Sequence, residues 1–192
     1  MEEFNEFIKG KAPYKVKKFK RRDLMKYFNK QGFKYGAEIG VRTGKFSQTM
    51  CQEINKLKLL SVDPYSLPYD DVRSSRIGKK GQEKFYNEAK ERLKHYDCQL
   101  IRKESLVAVQ DIPYESLDFV YIDGSHQFDY VMCDIIEWAK RVKKGGIVSG
   151  HDYFKFRDAD VVRAVNTYIK SHCIKTLFIT DERTPSWWFR KE

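Results

Sequence analysis

The stretch YIDGSHQFDY at residues 121–130 runs from an apolar approach into Asp123, Gly124, Ser125 and His126 before a helix-like pattern begins. Asp-Gly-Ser alone would make a turn. The histidine adds a group whose unperturbed pKa, near 6.5, lets it take or give a proton at neutral pH. An acid and an imidazole at this spacing suit proton transfer beside a strand end. Upstream, Glu38-Ile39-Gly40-Val41-Arg42-Thr43-Gly44 sets an acid before a glycine turn, and Asp63 follows Gly40 by 23 residues. Gly40 permits a tight turn and close approach of a ligand, and Gly44 opens a helix. An acid closing the next strand can accept both hydroxyls of a ribose. The glycines are spaced G-x-x-x-G, not the G-x-G-x-x-G that cradles a pyrophosphate, so a nicotinamide dinucleotide is disfavoured and a nucleoside site is favoured. The same residues could also serve only as turns and a helix opening.

These residues need elements to hold them. FKYGAEIGV (33–41), LLSVD (59–63), CQLIRKES (98–105), LDFVYID (117–123) and GIVSGHDYF (146–154) read as strands with their turns. Between them KFSQTMCQEINKL (45–57) and GQEKFYNEAKERLKHYD (81–97) read as helices. Phe128, Val131, Met132, Ile135, Ile136, Ala139 and Val142 form the stripe of an amphipathic helix that KKGG (143–146) stops, and Val161, Val162, Val165, Tyr168 and Ile169 stripe the last helix. Residues 64–79, with two prolines and no period, read as a long loop. Strands alternating with helices predict a Rossmann-like, doubly wound α/β sheet. The terminal pair, IKTLFIT (174–180) and PSWWFRK (185–191), is joined too tightly for a crossover, so one of the two must run antiparallel. In the alternating last strand, one of Trp187 and Trp188 should face in and the other should face out or meet a covering helix.

A chain of 192 residues, 41% hydrophobic and 15% aromatic, fits a single domain spanning 1–192. The net charge of +10 predicts an acidic ligand or surface. Its densest part is KVKKFKRR (15–22), read as the solvated face of a helix continuing through DLMKYFNKQG, within an N-terminal helical and basic extension over 1–32. Contact with nucleic acid through 15–22 is the less favoured reading. The opening MEEFNEFIKGKAP lacks the pattern of a signal peptide, and no apolar run approaches the roughly 20 residues that span a bilayer. Cysteines at 51, 98, 133 and 173 are scattered without a C-x-x-C pair, as small core residues in a reducing cytoplasm would be.

EIGVRTG, SVDPY, FVYIDGSH and GGIVSGHDYF resemble, in order and spacing, the motifs of class I S-adenosylmethionine-dependent methyltransferases. The likeness covers roughly residues 33–154 and is greatest to the small O-methyltransferase-like branch that carries DGSH and GHDY. The resemblance implies a seven-stranded, mostly parallel sheet with one antiparallel strand near the C-terminus. It places Glu38, Gly40 and Gly44 at the methionine part of the cofactor, Asp63 at its ribose, Glu104 and Ser105 beside adenine, and Asp123 beside the sulfonium methyl. Related catechol-type enzymes hold Mg²⁺ on the acid ending the fourth strand and on a pair ending the fifth, here Asp123 and His151-Asp152. They carry a lysine base where this chain has His126. Asp123 and Asp152 are hard oxygen ligands suited to Mg²⁺. Imidazole suits softer metals, which makes His151 a second candidate base.

The implied activity is methylation of a hydroxyl on a small polyhydroxylated acceptor, such as a sugar or sugar-bearing metabolite, with Mg²⁺ assistance. The loop over 64–79, with Tyr65, Tyr69, Arg73 and Arg76, and the first 30 residues would cover the acceptor. Two other readings stay open: a methyltransferase directed at RNA or another polyanion, and a non-catalytic nucleoside-binding domain. The Asn/Asp-Pro-Pro-aromatic segment of base modifiers is absent; IDGSH stands there instead.

Overall fold

The computed structural model describes residues 2–66, 72–155 and 160–192. In chain order the elements are β1 (Tyr14–Lys15), α1 (Arg21–Lys30), β2 (Tyr35–Ile39), α2 (Lys45–Glu53), β3 (Lys58–Val62), α3 (Val72–Leu93) and β4 (Cys98–Ile101). They continue with α4 (Ser105–Ala108), β5 (Leu117–Ile122), α5 (Phe128–Arg141), β6 (Val142–Gly150), α6 (Val161–Ser171), β7 (Phe178–Ile179) and β8 (Trp187–Arg190). One sheet holds all the strands, in the order β1-β7-β8-β6-β5-β2-β3-β4. Among the described strands only β8 is antiparallel to its neighbours, β6 and β7, as the short connection between the last two strands requires.

Among the described residues the sheet has eight strands rather than seven. The additional one, β1, lies on the edge and pairs in parallel with β7, Tyr14 against Phe178 and Lys15 against Ile179. The continuous helix expected over 15–30 is therefore a strand, a turn at Lys18 with φ +58°, and a helix that starts only at Arg21. Val16 is buried and Phe19 packs on Phe4 and Trp188, so two apolar anchors spaced as in a helix serve an extended segment instead. Of the loop expected over 64–79, residues 67–71 lie outside the described residues, and from Val72 on the chain is α3, broken at Gly78, whose φ and ψ are 64° and 170°. Pro64 and Pro68 both precede that start, and the polar composition of 72–79 hid it. KKGG does end α5, and it forms a bulge in β6: the register passes from Leu117↔Val142 to Phe119↔Ile147.

Alternation along the strands divides the core into two faces. Val120, Ile122, Val148 and Trp187 pack with α5 and α6, whereas Phe119, Tyr121, Ile147 and Trp188 pack with α1, α2 and Phe4. Each of these large side chains, nearly or wholly removed from water, contributes roughly 1.5–3 kcal/mol. The cysteines are unpaired; Cys51, Cys98 and Cys133 are half-buried and Cys173 is exposed. Among the described residues no helix is long and apolar enough to cross a membrane.

The parallel ladder runs one residue past the strands at their carboxyl ends. Gly40 N–H donates to Val62 O at 2.9 Å, Asp123 N–H to Ile39 O at 2.7 Å, and His151 N–H to Ile122 O at 2.9 Å. Gly40, at φ +91°, makes this possible: a Cβ there would lie 2.2 Å from the Asp123 carbonyl oxygen. The close approach that the glycine permits is that of the neighbouring strand end. Gly40→Ala should therefore lower the unfolding free energy by about 2–4 kcal/mol, from the positive φ and the backbone clash together. Urea denaturation monitored by circular dichroism measures it, and parental stability in the variant would contradict the close approach.

Candidate functional site

The ladder delivers Asp123 and the pair His151-Asp152 side by side at the carboxyl edge of β5 and β6. His151 Nδ1 lies 3.2 Å from Asp152 Oδ1 and 3.6 Å from Asp123 Oδ1. The two outer carboxylate oxygens are held from the other side: His126 Nε2 is 2.8 Å from Asp152 Oδ2, and Arg21 Nη2 donates to Asp123 Oδ2 at 3.2 Å. The histidine-bearing turn is tied down by Asp160 N–H, which donates to His126 O at 2.8 Å, and Trp187 Nε1 donates to His151 O at 3.2 Å. A small cleft lined by Asp123, Ser125, His126, His151, Asp152 and Trp187 opens between them.

Burial lifts the pKa of Asp123 above the ordinary carboxylate range, although His151 and Arg21 oppose it. Burial acts in the same sense on Asp152, but there the hydrogen bonds to His126 and then His151 prevail and hold the carboxyl well below its usual range. Asp152 is thus the firmly ionised member of the pair. One donor atom from each of Asp123, His151 and Asp152 lies within 4.8 Å of the others. Cis ligands of an octahedral ion with bonds of about 2.1 Å sit roughly 3 Å apart, so the three residues suit a divalent cation.

Arg21 is the site residue that its place in the basic run concealed. Its guanidinium lies 3.5 Å above the Phe46 ring and 5.4 Å from that of Tyr121, an arrangement that favours the cation. Its backbone N–H donates to Glu182 Oε2 at 2.7 Å. The signal was the pairing of β1 with β7, and two residues of strand are too few to announce it.

The other expected residues line the same edge with more internal duties. Glu38 is buried; the Ser47 hydroxyl donates to its Oε2, and burial raises its pKa well above the usual range. Asp63 Oδ2 accepts the N–H groups of Val41 and Arg42, both at 2.9 Å, and Oδ1 accepts that of Tyr65 at 2.9 Å. The acid therefore braces the glycine turn from the neighbouring strand. Gly44, at φ +71°, caps α2, and Glu104 is the exposed residue before α4. Tyr65, expected over the acceptor, is buried against Val41, Ala89 and Leu93. Tyr69 and the side chains of Arg73 and Arg76 lie outside the described residues.

The sequence model of a family described as a methyltransferase domain matches residues 37–153, more than half of the chain. An uncharacterized protein of Acanthamoeba polyphaga mimivirus is 27% identical over 150 residues, which cover 77% of this chain and 64% of that protein. Among solved structures, the fold is similar to the O-methyltransferase of Bacillus cereus in complex with SAH, with a TM-score of 0.65 at 13% identity, over 88% of this chain and 80% of that one. It is likewise similar to an rRNA methylase of Streptococcus thermophilus, with a TM-score of 0.64 at 11% identity, over 92% and 99%. The chain belongs to the methyltransferase-domain family.

Ser105 is committed to the core behind the site. Its hydroxyl donates to Asp134 Oδ1 at 2.5 Å and accepts Trp138 Nε1–H at 2.8 Å. Burial raises the Asp134 pKa to about 6, so the folded chain resists its ionisation. The folded pKa of this acid exceeds the unfolded value near 3.9, so stability falls as pH rises between the two values. Above that window the ionised acid costs on the order of 3 kcal/mol. Asp134→Asn keeps an acceptor for Ser105 and should be more stable than the parent at pH 8, with the gain vanishing near pH 4. Urea midpoints at the two pH values test this; a constant difference would contradict a buried, proton-bearing Asp134.

Proposed function

From membership of the methyltransferase family we infer that this chain transfers the methyl group of S-adenosylmethionine to a hydroxyl of a small polyhydroxylated acceptor, such as a sugar or sugar-bearing metabolite. The observation that carries the reading is the His126–Asp152 contact at 2.8 Å, beside Asp123 and His151 and next to the glycine turn. Displacement at a sulfonium carbon is in-line, and a neutral hydroxyl is a weak nucleophile, so it must be aligned and relieved of its proton. Asp152 fits the orienting role: with a proton on His126 Nε2 shared with the carboxylate, the basic lone pair belongs to Nδ1. His126 is the base in this reading, and Asp123 flanks the methyl.

Glu38, Gly40 and Gly44 take the methionine part and Asp63 the ribose. Glu104 and Ser105 take the adenine, Ser105 through its backbone because its hydroxyl serves Asp134. A divalent ion such as Mg²⁺ on Asp123, His151 and Asp152 would supply Lewis acidity that lowers the pKa of the acceptor hydroxyl. These side chains position the acceptor against that group; His126 accepts the proton.

Calorimetric titration with S-adenosylmethionine, with and without Mg²⁺, is the direct test. The cofactor should bind, Asp63→Ala should weaken it at least tenfold, and His126→Ala should leave it intact. The same His126→Ala change should slow S-adenosylhomocysteine formation on a responsive polyol by about 10²–10⁴-fold. A chain that does not bind the cofactor defeats the reading. Binding and turnover indifferent to Mg²⁺ would remove the metal and keep the transfer.

A further inference from the structure

The basic segment 15–22 is built into the mouth of the site. After β1, Val16 N–H donates to Ile179 O at 3.0 Å, Asp181 N–H to Phe19 O at 2.8 Å, and Lys18 N–H to Asp181 Oδ2 at 3.1 Å. The segment is thereby strapped to the turn between β7 and β8. Val16 and Phe19 turn inward, while Lys17, Lys18 and Lys20 stay exposed. Arg21, the next residue, enters the site and meets Asp123.

The cations around Arg21 divide into two sets. Lys15 pairs with Asp181 at 3.5 Å and Arg22 with Glu53 at 2.5 Å. Lys17, Lys18, Lys20, Lys45 and Arg183 have no carboxylate within 4.0 Å among the described residues. Lys17, Lys18 and Lys20 lie on the same strapped segment as Arg21, and Lys45 and Arg183 adjoin in sequence residues that Arg21 touches. Lys20 precedes it, and Lys45 precedes the Phe46 ring on which its guanidinium rests. Arg183 follows Glu182, which accepts its N–H. Glu182 is further engaged by the Thr180 hydroxyl at 3.0 Å. Arg21 Nε is buried and bonds to nothing in the described structure. A guanidinium with one nitrogen on Asp123 and its Nε without a partner among the described residues, on a segment whose lysines meet no carboxylate, suits an oxyanion of more than one charge.

We propose that the acceptor carries a phosphate, received by Arg21 with Lys17, Lys18, Lys20, Lys45 and Arg183 around it, while the acceptor's hydroxyl faces His126 and Asp123. A carboxylate would leave most of these charges uncompensated, whereas a phosphate ester carries nearly two negative charges and three acceptor oxygens. The inference rests on the methyltransferase reading for the hydroxyl, and on the cationic rim alone for the phosphate.

The full chain is titrated calorimetrically with ribose 5-phosphate, with ribose and with a 20-nucleotide mixed-sequence RNA, each with and without saturating S-adenosylhomocysteine. Ribose 5-phosphate should bind at least tenfold more tightly than ribose. Lys17→Gln/Lys18→Gln/Lys20→Gln, confined to exposed side chains, should weaken phosphate binding about tenfold or more and leave S-adenosylhomocysteine affinity unchanged. Arg21→Met should abolish the preference for ribose 5-phosphate over ribose. If RNA binds and ribose 5-phosphate competes it away, the phosphate belongs to a polynucleotide; if RNA fails to bind, it belongs to a free small molecule. Equal affinity for ribose and ribose 5-phosphate, or a triple variant indistinguishable from the parent, overturns the proposal. Failure to bind S-adenosylhomocysteine strikes the methyltransferase reading alone, because the phosphate titrations are also made without it.

Discussion

The hydrogen bond from Asp123 N–H to Ile39 O, with the absent side chain of Gly40 beneath it, sets the geometry on which the rest of the carboxyl edge depends. It brings the ends of β2 and β5 into backbone contact, so the acid that closes β5 and the turn that follows β2 share one wall. The next bond in the row, from His151 N–H to Ile122 O, adds the imidazole and its neighbouring acid. Behind this row the strands are buried on both faces, as a sheet covered by helices on each side requires. The site side chains thus project from backbone that cannot shift without breaking a central ladder.

Charge is distributed along that edge with the two acids in different states. Asp123 has burial against it and shares Arg21 and His151. Asp152 accepts from two imidazoles and stays ionised in spite of burial. Carboxylates a residue apart in depth therefore acquire separate duties, one adjustable and one fixed, which is the environment-driven division seen wherever paired acids do different work. Asp63 shows a third use of a carboxylate: its oxygens hold the amides of the glycine turn, so the residue that closes β3 also stiffens the turn after β2.

Much of this was legible in the sequence because it rests on periodicity and on punctuation by glycine. The strand ends at Ile39, Val62, Ile122 and Gly150 follow from apolar runs stopped by Gly40, Asp63, Asp123 and His151, and four such stops in one parallel sheet must face the same edge. The antiparallel β8 followed from the length of its connection, and the opposed burial of Trp187 and Trp188 from strand alternation. What escaped was determined by distant pairing. Val16 and Phe19 satisfy helical and extended spacing alike, and only the edge of β7, more than 160 residues away in sequence, decides between them. Arg21 looked like one more surface cation for the same reason. The hydrogen bonds of the Ser105 hydroxyl were equally hidden, because its partners, Asp134 and Trp138, lie one helix further on. The start of α3 at Val72 was hidden by a composition with no apolar stripe.

The place of β1 on the sheet also has a temporal side. A two-residue edge strand has no stability of its own, and its partner, β7, follows β2 to β6 in the chain. Synthesis proceeds from the N-terminus, so the glycine turn, Asp63, Asp123 and the His151-Asp152 pair can all find their strands while Arg21 still lacks the scaffold that brings it in. The basic segment closes on the site last, as a long-range contact whose loop-closure entropy is met only when the sheet is nearly whole. A chain that folds in this order keeps its most positively charged arm outside until the edge it will border has formed.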